Sequence, residues 1–424
     1  MKPVFLLLVA ALLASCLAEK SADIAEPGTF VRYFNGGFNE NAVAVEQTGD
    51  DGYIILSTLT VQQTETSLPK SKIKLIKTDK FGNLQWTKIH PPHTNNDEFF
   101  DPASPNYIGR NLIIGSDNGF IITGETISAL GSNPLVLITD SDGNEVRKAT
   151  LDLPGRGVGL YERETELILL GYDNRPAAPA DKNMMLVSLK KATLNPNDLN
   201  WVRQYGDGTG NINLARRLLM NSANQVVWAG TADRATHSDV RIVKSDLNSQ
   251  RVIFDLPIGQ PGSNQFGRDI APFGFGYAVV GTTTENGNRD IFFQRLNENG
   301  SVPQNSTFVL ANNGDNKFDE EGYALTVTQD GGLLLLGSFN SNNNNENDRD
   351  SSGKNGSGGE DYQLIKINAF GELQWRRITG SRDNDVGVAV RQARDGGLVV
   401  LGTTDLANIK TVMLLKTDKN GEIQ

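Results

Sequence analysis

The chain has 424 residues and a formal net charge of -10, with 40 Lys and Arg against 50 Asp and Glu. That acidic balance, without clustered Lys and Arg, argues against a nucleic-acid surface, and no apolar run after Leu17 approaches the roughly 20 residues that cross a bilayer as a helix. Forty-four glycines and a bias toward Asn, Asp, Ser and Thr indicate many short strands joined by tight turns.

In chain order, Lys2 precedes an apolar stretch from Val4 to Leu13, followed by Ala14, Ser15 and Cys16. This is the layout of an export signal, too short for a stable span, and residues 1–15 are read as a signal peptide. Cys16 is the only cysteine, so no intrachain disulfide can form. The Leu13-Ala14-Ser15-Cys16 run resembles a bacterial lipobox, which implies cleavage before Cys16, diacylglycerol on its thiol and membrane attachment through acyl chains. Leu17 stands where Asp would signal inner-membrane retention, so the expected address is the cell envelope, as an outer-membrane lipoprotein. Residues 16–27 then form a short lipidated tether, and 28–424 the folded part.

An apolar strand followed by a polar turn recurs along that part. Its copies are residues 75–79, 137–140, 187–190, 242–246, 293–297, 364–368 and 414–418, with ends 61, 50, 56, 51, 71 and 50 positions apart. A period of about fifty residues marks a repeat architecture. In the first unit the pattern predicts strand a at Ala42–Gln47, b at Tyr53–Leu59, c at Ile73–Thr78 and d at Leu84–Ile89. The sixth predicts Ala324–Thr328, Leu333–Ser338, Tyr362–Ile367 and Leu373–Ile378. Turns between a and b carry Asp50-Asp51-Gly52, Asp117-Asn118-Gly119, Asp330-Gly331 and Asp395-Gly396, whose glycines are expected to take positive φ. Turns between c and d repeat an Asp or Asn with Gly three residues later, at Asp79, Asp140, Asn297, Asn368 and Asp418. Trp86, Trp201 and Trp375 recur near the start of strand d and are expected to pack between units, and Trp228 in the core.

The expected fold is therefore an all-β, seven-bladed β-propeller of four-stranded antiparallel blades. The seventh unit supplies Val388–Gln392, Leu398–Thr403 and Val412–Thr417 but no fourth strand. An unassigned strand at residues 29–34 near the N-terminus is expected to close it and hide two edges. Blade-to-blade joins and b-to-c loops emerge on one face, which holds the inserts 60–71, 90–108, 173–182 and 340–360. The opposite face mainly has tight turns, with 190–198 the main exception. The insert-bearing face is the expected recognition surface.

No catalytic constellation is evident. His90 and His93 read as surface loop residues, with His237 the third histidine, and metal use stays open. Acidic residues recur in the joins: Asp97, Glu98 and Asp101; Asp315, Asp319, Glu320 and Glu321; Asp383 and Asp385. They could hold calcium or act as glycosidase-like carboxylates, against a reading of turn-forming, solvated charge. Arg110, Arg216, Arg217, Arg268, Arg382 and Arg391 near the same joins could meet acidic sugars or partner carboxylates, against packing and surface pairing. The lipobox combined with repeated Asp-Gly-Gly, Leu-Ile-Lys-Thr-Asp and Gly-Glu-Leu-Gln-Trp segments resembles the propeller lipoproteins of Bacteroidetes, which implies export and a binding role. The Asp79 to Trp86 spacing is similar to quinoprotein-type propeller repeats, but its shorter Asp-to-Gly interval and the units without Trp speak against a quinone. The expected function is a monomeric, non-catalytic binding or scaffolding lipoprotein that recognises a glycan, peptide or envelope protein. The alternative is a hydrolase or lyase acting on an extracellular polysaccharide through axial carboxylates.

Overall fold

The computed structural model describes residues 28–61, 70–91, 106–173, 184–205, 212–260, 262–285, 287–304, 306–310, 319–340 and 359–423. Seven four-stranded antiparallel sheets form a seven-bladed propeller. The inner strands a are Asn39–Gln47, Asn106–Ile114, Arg156–Glu162, Ile212–Met220, Gln265–Phe273, Glu320–Val327 and Asp385–Gln392. In blade 1, strands b, c and d follow as Tyr53–Val61, Lys70–Thr78 and Leu84–His90. Blade 7 consists of Asp385–Gln392, Leu398–Leu406 and Ile409–Thr417, and its outer strand is Phe30–Phe34 from the other end of the chain. Phe30 lies opposite Lys416 and Phe34 opposite Val412, so the predicted closure is present.

The core lies between blades. Seven apolar clusters each draw buried side chains from two adjacent blades, including one in which Phe30, Phe34, Val399 and Leu414 of blade 7 meet Val45, Tyr53 and Ile76 of blade 1. A ring with seven filled interfaces has no open seam, which satisfies the edge problem by closure.

Every a–b pair carries a register shift at the same level, and the pair just before it is small on both strands. The pairs are Ala42 with Ser57, Gly109 with Gly124, Gly157 with Gly171, Ala215 with Gly230, Gly267 with Gly281, Gly322 with Gly337 and Gly387 with Gly402. A β-bulge bends the inner strand and turns an extra residue off the ladder. The bend brings a carbonyl against strand b. A Cβ on Gly124 would lie 1.9 Å from the Ile108 oxygen, and one on Gly281 2.0 Å from the Phe266 oxygen. On strand a of blade 2 the contact is softer, since a Cβ on Gly109 would meet the Leu56 side chain at 3.0 Å rather than a carbonyl, and blade 1 has Ala42 there. Gly124→Ala is therefore expected to destabilise by about 1–3 kcal/mol, and Gly109→Ala by under about 1 kcal/mol. Paired denaturant titrations check this, and equal costs would reject the carbonyl contact as the reason for glycine. Blade 1 carries Ser57 at the equivalent site, so its strand pair accepts a Cβ there.

The turns correct one expectation. In Asp50-Asp51-Gly52 and Asp117-Asn118-Gly119 the positive φ falls on Asp51 and Asn118, at 65° and 64°, not on the glycine. The glycine is required for space, because a Cβ on Gly52 would sit 2.2 Å from the Thr78 oxygen. The c–d turns behave as expected: Asp79 accepts the Phe81 and Asn83 amides, Gly82 has φ 76°, and these bonds hold the Asp79 carboxyl below its usual range despite some burial. The turn glycines also receive the d-strand aromatics of the neighbouring blade. Trp86 sits on Gly143, Trp375 on Gly421, Phe254 on Gly300 and Phe30 on Gly82. Trp86 and Trp375 are thus interblade residues, as is Trp201 beside the blade 3–4 cluster, and Trp228 is fully buried within that cluster.

Candidate functional site

The seven bulges surround the axis, and five of the bulged residues, Val43, Arg110, Arg268, Tyr323 and Val388, line a cavity there. In chain order the bulged positions are Val43, Arg110, Val158, Arg216, Arg268, Tyr323 and Val388. An axial cavity of about 240 Å³ is lined by residues of all seven inner strands, from the bulge level to the ends of those strands. It therefore occupies the half of the axis nearer the a–b turns. Four of the six arginines singled out by sequence line it: Arg110, Arg217, Arg268 and Arg391. The Arg216 side chain lies outside the described residues, and Arg382 is exposed in the join before Asp385–Gln392 and does not line the cavity.

Each axial guanidinium leans on a carboxylate. Arg391 donates to Glu46 at 2.6 Å, joining blades 7 and 1, and Arg110 donates to Glu125 at 2.5 Å. Burial opposes charge on Arg391 and Glu46 more than offsets it, so its pKa is raised. Arg217 reaches Asp269 at 3.0 Å, and Asp269 also accepts the Ile270 and Leu325 amides, which ties blades 4, 5 and 6 together. Arg268 is held least: Nη2 is 3.5 Å from Glu321, at the outer limit of a hydrogen bond, and its buried Nε has no partner. The lining carries four guanidiniums against two carboxylates, Glu46 and Asp269. Blades 2 to 4 contribute Arg110, Asn111 and Arg217 together with Leu112, Ile113, Leu160 and Leu218, of which the three leucines are buried in the interblade clusters.

Among the described residues none of the acids of the joins lines the axial cavity. Asp319 pairs with Arg289 at 3.2 Å, and Glu321 with Arg289 and Arg268. Glu320 turns into blade 6, where Oε1 accepts from Gln363 at 3.2 Å and lies 3.6 Å from Arg376, while Oε2 is buried without a partner. Burial pushes Glu320 up to about 7 against the pull of Arg376 and Gln363. Asp385 is also raised by burial, although the Ser381 amide and hydroxyl donate to it. Asp383 is exposed. Cys16, His93, Asp97, Glu98, Asp101 and Asp315 lie outside the described residues.

His90 corrects the loop reading. It ends strand d of blade 1, is buried, and its Nε2 contacts the Gly143 carbonyl at 3.1 Å. Burial lowers its pKa, opposed by that contact and by Glu145. Among the described residues no three His, Cys, Asp or Glu side chains gather as metal ligands.

Sequence reading named the axial arginines but missed the device that gathers them. The signal was present as Gly or Ala followed by the bulged residue in every unit, a spacing that neither period-two nor turn analysis detects.

The chain matches no protein-family model and no curated protein. Solved structures similar to it include one from a study of two prolyl endopeptidases, at 10% identity and a TM-score of 0.49, covering 91% of this chain and 48% of that one. The chain thus spans about half the length of that protein. Drosophila Semaphorin 1b, extracellular domains 1–2, is similar at 6% identity and a TM-score of 0.47, covering 92% of this chain and 86% of that one. A Bacteroides caccae protein of unknown function is similar at 11% identity and a TM-score of 0.39, covering 77% and 94%. These are likenesses of fold.

Proposed function

We propose that the chain is a non-catalytic binding or scaffolding lipoprotein of the cell envelope, anchored through Cys16, in which the insert-bearing propeller face recognises a glycan, peptide or protein partner. The observation that carries this reading is the placement of the long connections. The four longest are 341–359, 91–105, 173–183 and 310–319, and all join strand b to c or strand d to the next a. Antiparallel order puts those joins at one end of the blades. The other end is built of shorter turns, with 191–198 and 298–306 the longest. A frame of seven filled interfaces holding its long connections at one end suits recognition better than it suits a cleft closing on substrate. The lipobox and the segment resemblance to Bacteroidetes propeller lipoproteins support the same address and role; the quinoprotein likeness adds no cofactor to it.

The test replaces residues 341–358 by a short Gly-Ser linker in the full chain. The thermal midpoint is expected to stay within about 3 °C of the parent, while co-purification of a defined partner from solubilised envelopes is lost. If the parent captures nothing from envelopes and binds nothing on a glycan array, the recognition role fails. Cys16→Ala is expected to release the chain from membranes, and unchanged attachment would reject the lipid anchor.

A further inference from the structure

We propose that the axial cavity is a second binding site, for a small carboxylate, with Arg268 as its principal anchor and Arg110 and Arg217 as supporting donors. The site lies in the half of the axis away from the inserts and does not depend on what the insert-bearing face binds.

Four features specify the ligand. First, the lining presents Arg110, Arg217, Arg268 and Arg391 beside Glu46 and Asp269, with Arg110 and Arg268 paired to Glu125 and Glu321 just outside it, so the site suits a monoanion rather than a polyanion. Second, donors remain open. Arg391 is used up by Glu46 and the Val390 carbonyl, whereas Arg268 has a buried, unpartnered Nε and only a 3.5 Å contact at Nη2. A buried donor left unmade keeps its full desolvation penalty; an incoming carboxylate removes that cost, and the guanidinium fork matches its two oxygens. Third, Asn111 and Tyr323 line the cavity beside the arginines, while Leu112, Leu160 and Leu218 are buried in the interblade clusters, so the lining offers polar partners to a compact acid rather than a channel for a long hydrocarbon chain. Fourth, the volume of about 240 Å³ falls below the roughly 300–1,000 Å³ of pockets that enclose small-molecule ligands. The site therefore takes one acid group and a few carbons, supplied by a free short-chain acid or by an acidic side chain of a peptide.

Titration calorimetry on the full chain in detergent, with butyrate, an N-acetyl glutamyl peptide amide and inorganic phosphate, tests the assignment. At least one of the two carboxylates is expected to bind, and the tighter of them identifies the source. Arg268→Gln should weaken that binding by about tenfold or more, while Arg382→Gln, outside the cavity, leaves it unchanged. Should Arg268→Gln fail to fold, as judged by its circular dichroism, Arg110→Gln must show the loss instead. The assignment is overturned if neither carboxylate binds, if phosphate binds in preference, or if folded arginine variants bind like the parent. Partner capture by the insert-bearing face is measured separately, so either reading can fail alone.

Discussion

Deleting the chain through Asn35 is expected to abolish the folded propeller or leave it aggregating, although the segment supplies only one of 28 strands. Phe30–Phe34 is the outer strand of blade 7 and its loss would bare the backbone edge of Ile409–Thr417, a template for intermolecular pairing. It would also open two of the seven interblade cores. Phe30 and Phe34 belong to the cluster between blades 7 and 1, and Val31 packs against the one between blades 6 and 7. Phe30 further rests on Gly82 of blade 1 and meets Tyr53 edge-on at 6.2 Å. Phe30→Ala alone is expected to cost about 3–5 kcal/mol. Tyr33→Ala, on the same strand but 47% exposed, should stay within about 0.5 kcal/mol. Circular dichroism melts and gel filtration read these effects, and a synthetic peptide of residues 28–36 added to the truncated chain should restore part of the melt. A truncated chain that melts like the parent would show that the ring does not need its closing strand.

Most of this frame was legible in the sequence, because strand c and its turn repeat in recognisable form and the seventh unit visibly lacks a fourth strand. The starts of the inner strands were not. They were read from Ala42, Ala324 and Val388, and they begin at Asn39, Glu320 and Asp385. The missed residues precede the bulge, which breaks the alternation that marks a strand. They also include Glu40, Glu320 and Asp385, each buried, where the ordinary rule sends charge to the surface. Glu320 and Asp385 were accordingly assigned to solvated joins. The candidate site was legible only by residue type: Arg110, Arg217, Arg268 and Arg391 were named, but their meeting at one axis depends on a bulge recurring at one level of seven blades. His90 was missed for a related reason, since a polar residue before two prolines reads as a loop although it ends a strand.

The buried acid of blade 6 should give the protein a stability that falls between about pH 5 and pH 8. Glu40 and Glu320 occupy the same place three residues before the bulge, and strand c faces them with different partners. Lys74 reaches Glu40 at 2.6 Å, whereas the corresponding residue of blade 6 is the neutral Gln363. Arg376, at 3.6 Å, and the repulsion of Asp290 are the charged influences on Glu320, and burial prevails over the attraction, so its pKa rises to about 7 from an ordinary 4.5. Arg376 is correspondingly lowered by burial, with Glu320 opposing. A raised folded-state pKa means that the native protein holds the proton more tightly than the unfolded chain. Its stabilising contribution is full below pH 4.5 and is lost as pH rises through about 7, up to about 3 kcal/mol by linkage. Glu320→Gln keeps the Oε1 acceptor without the charge, and should be more stable than the parent near pH 8 with a shallower profile across this window. Gln363→Lys should flatten it by the opposite route, supplying the counter-ion that blade 1 already has and drawing the carboxyl down. Denaturant midpoints measured across the window decide the matter, and a Glu320→Gln profile parallel to the parent's would place the titration elsewhere.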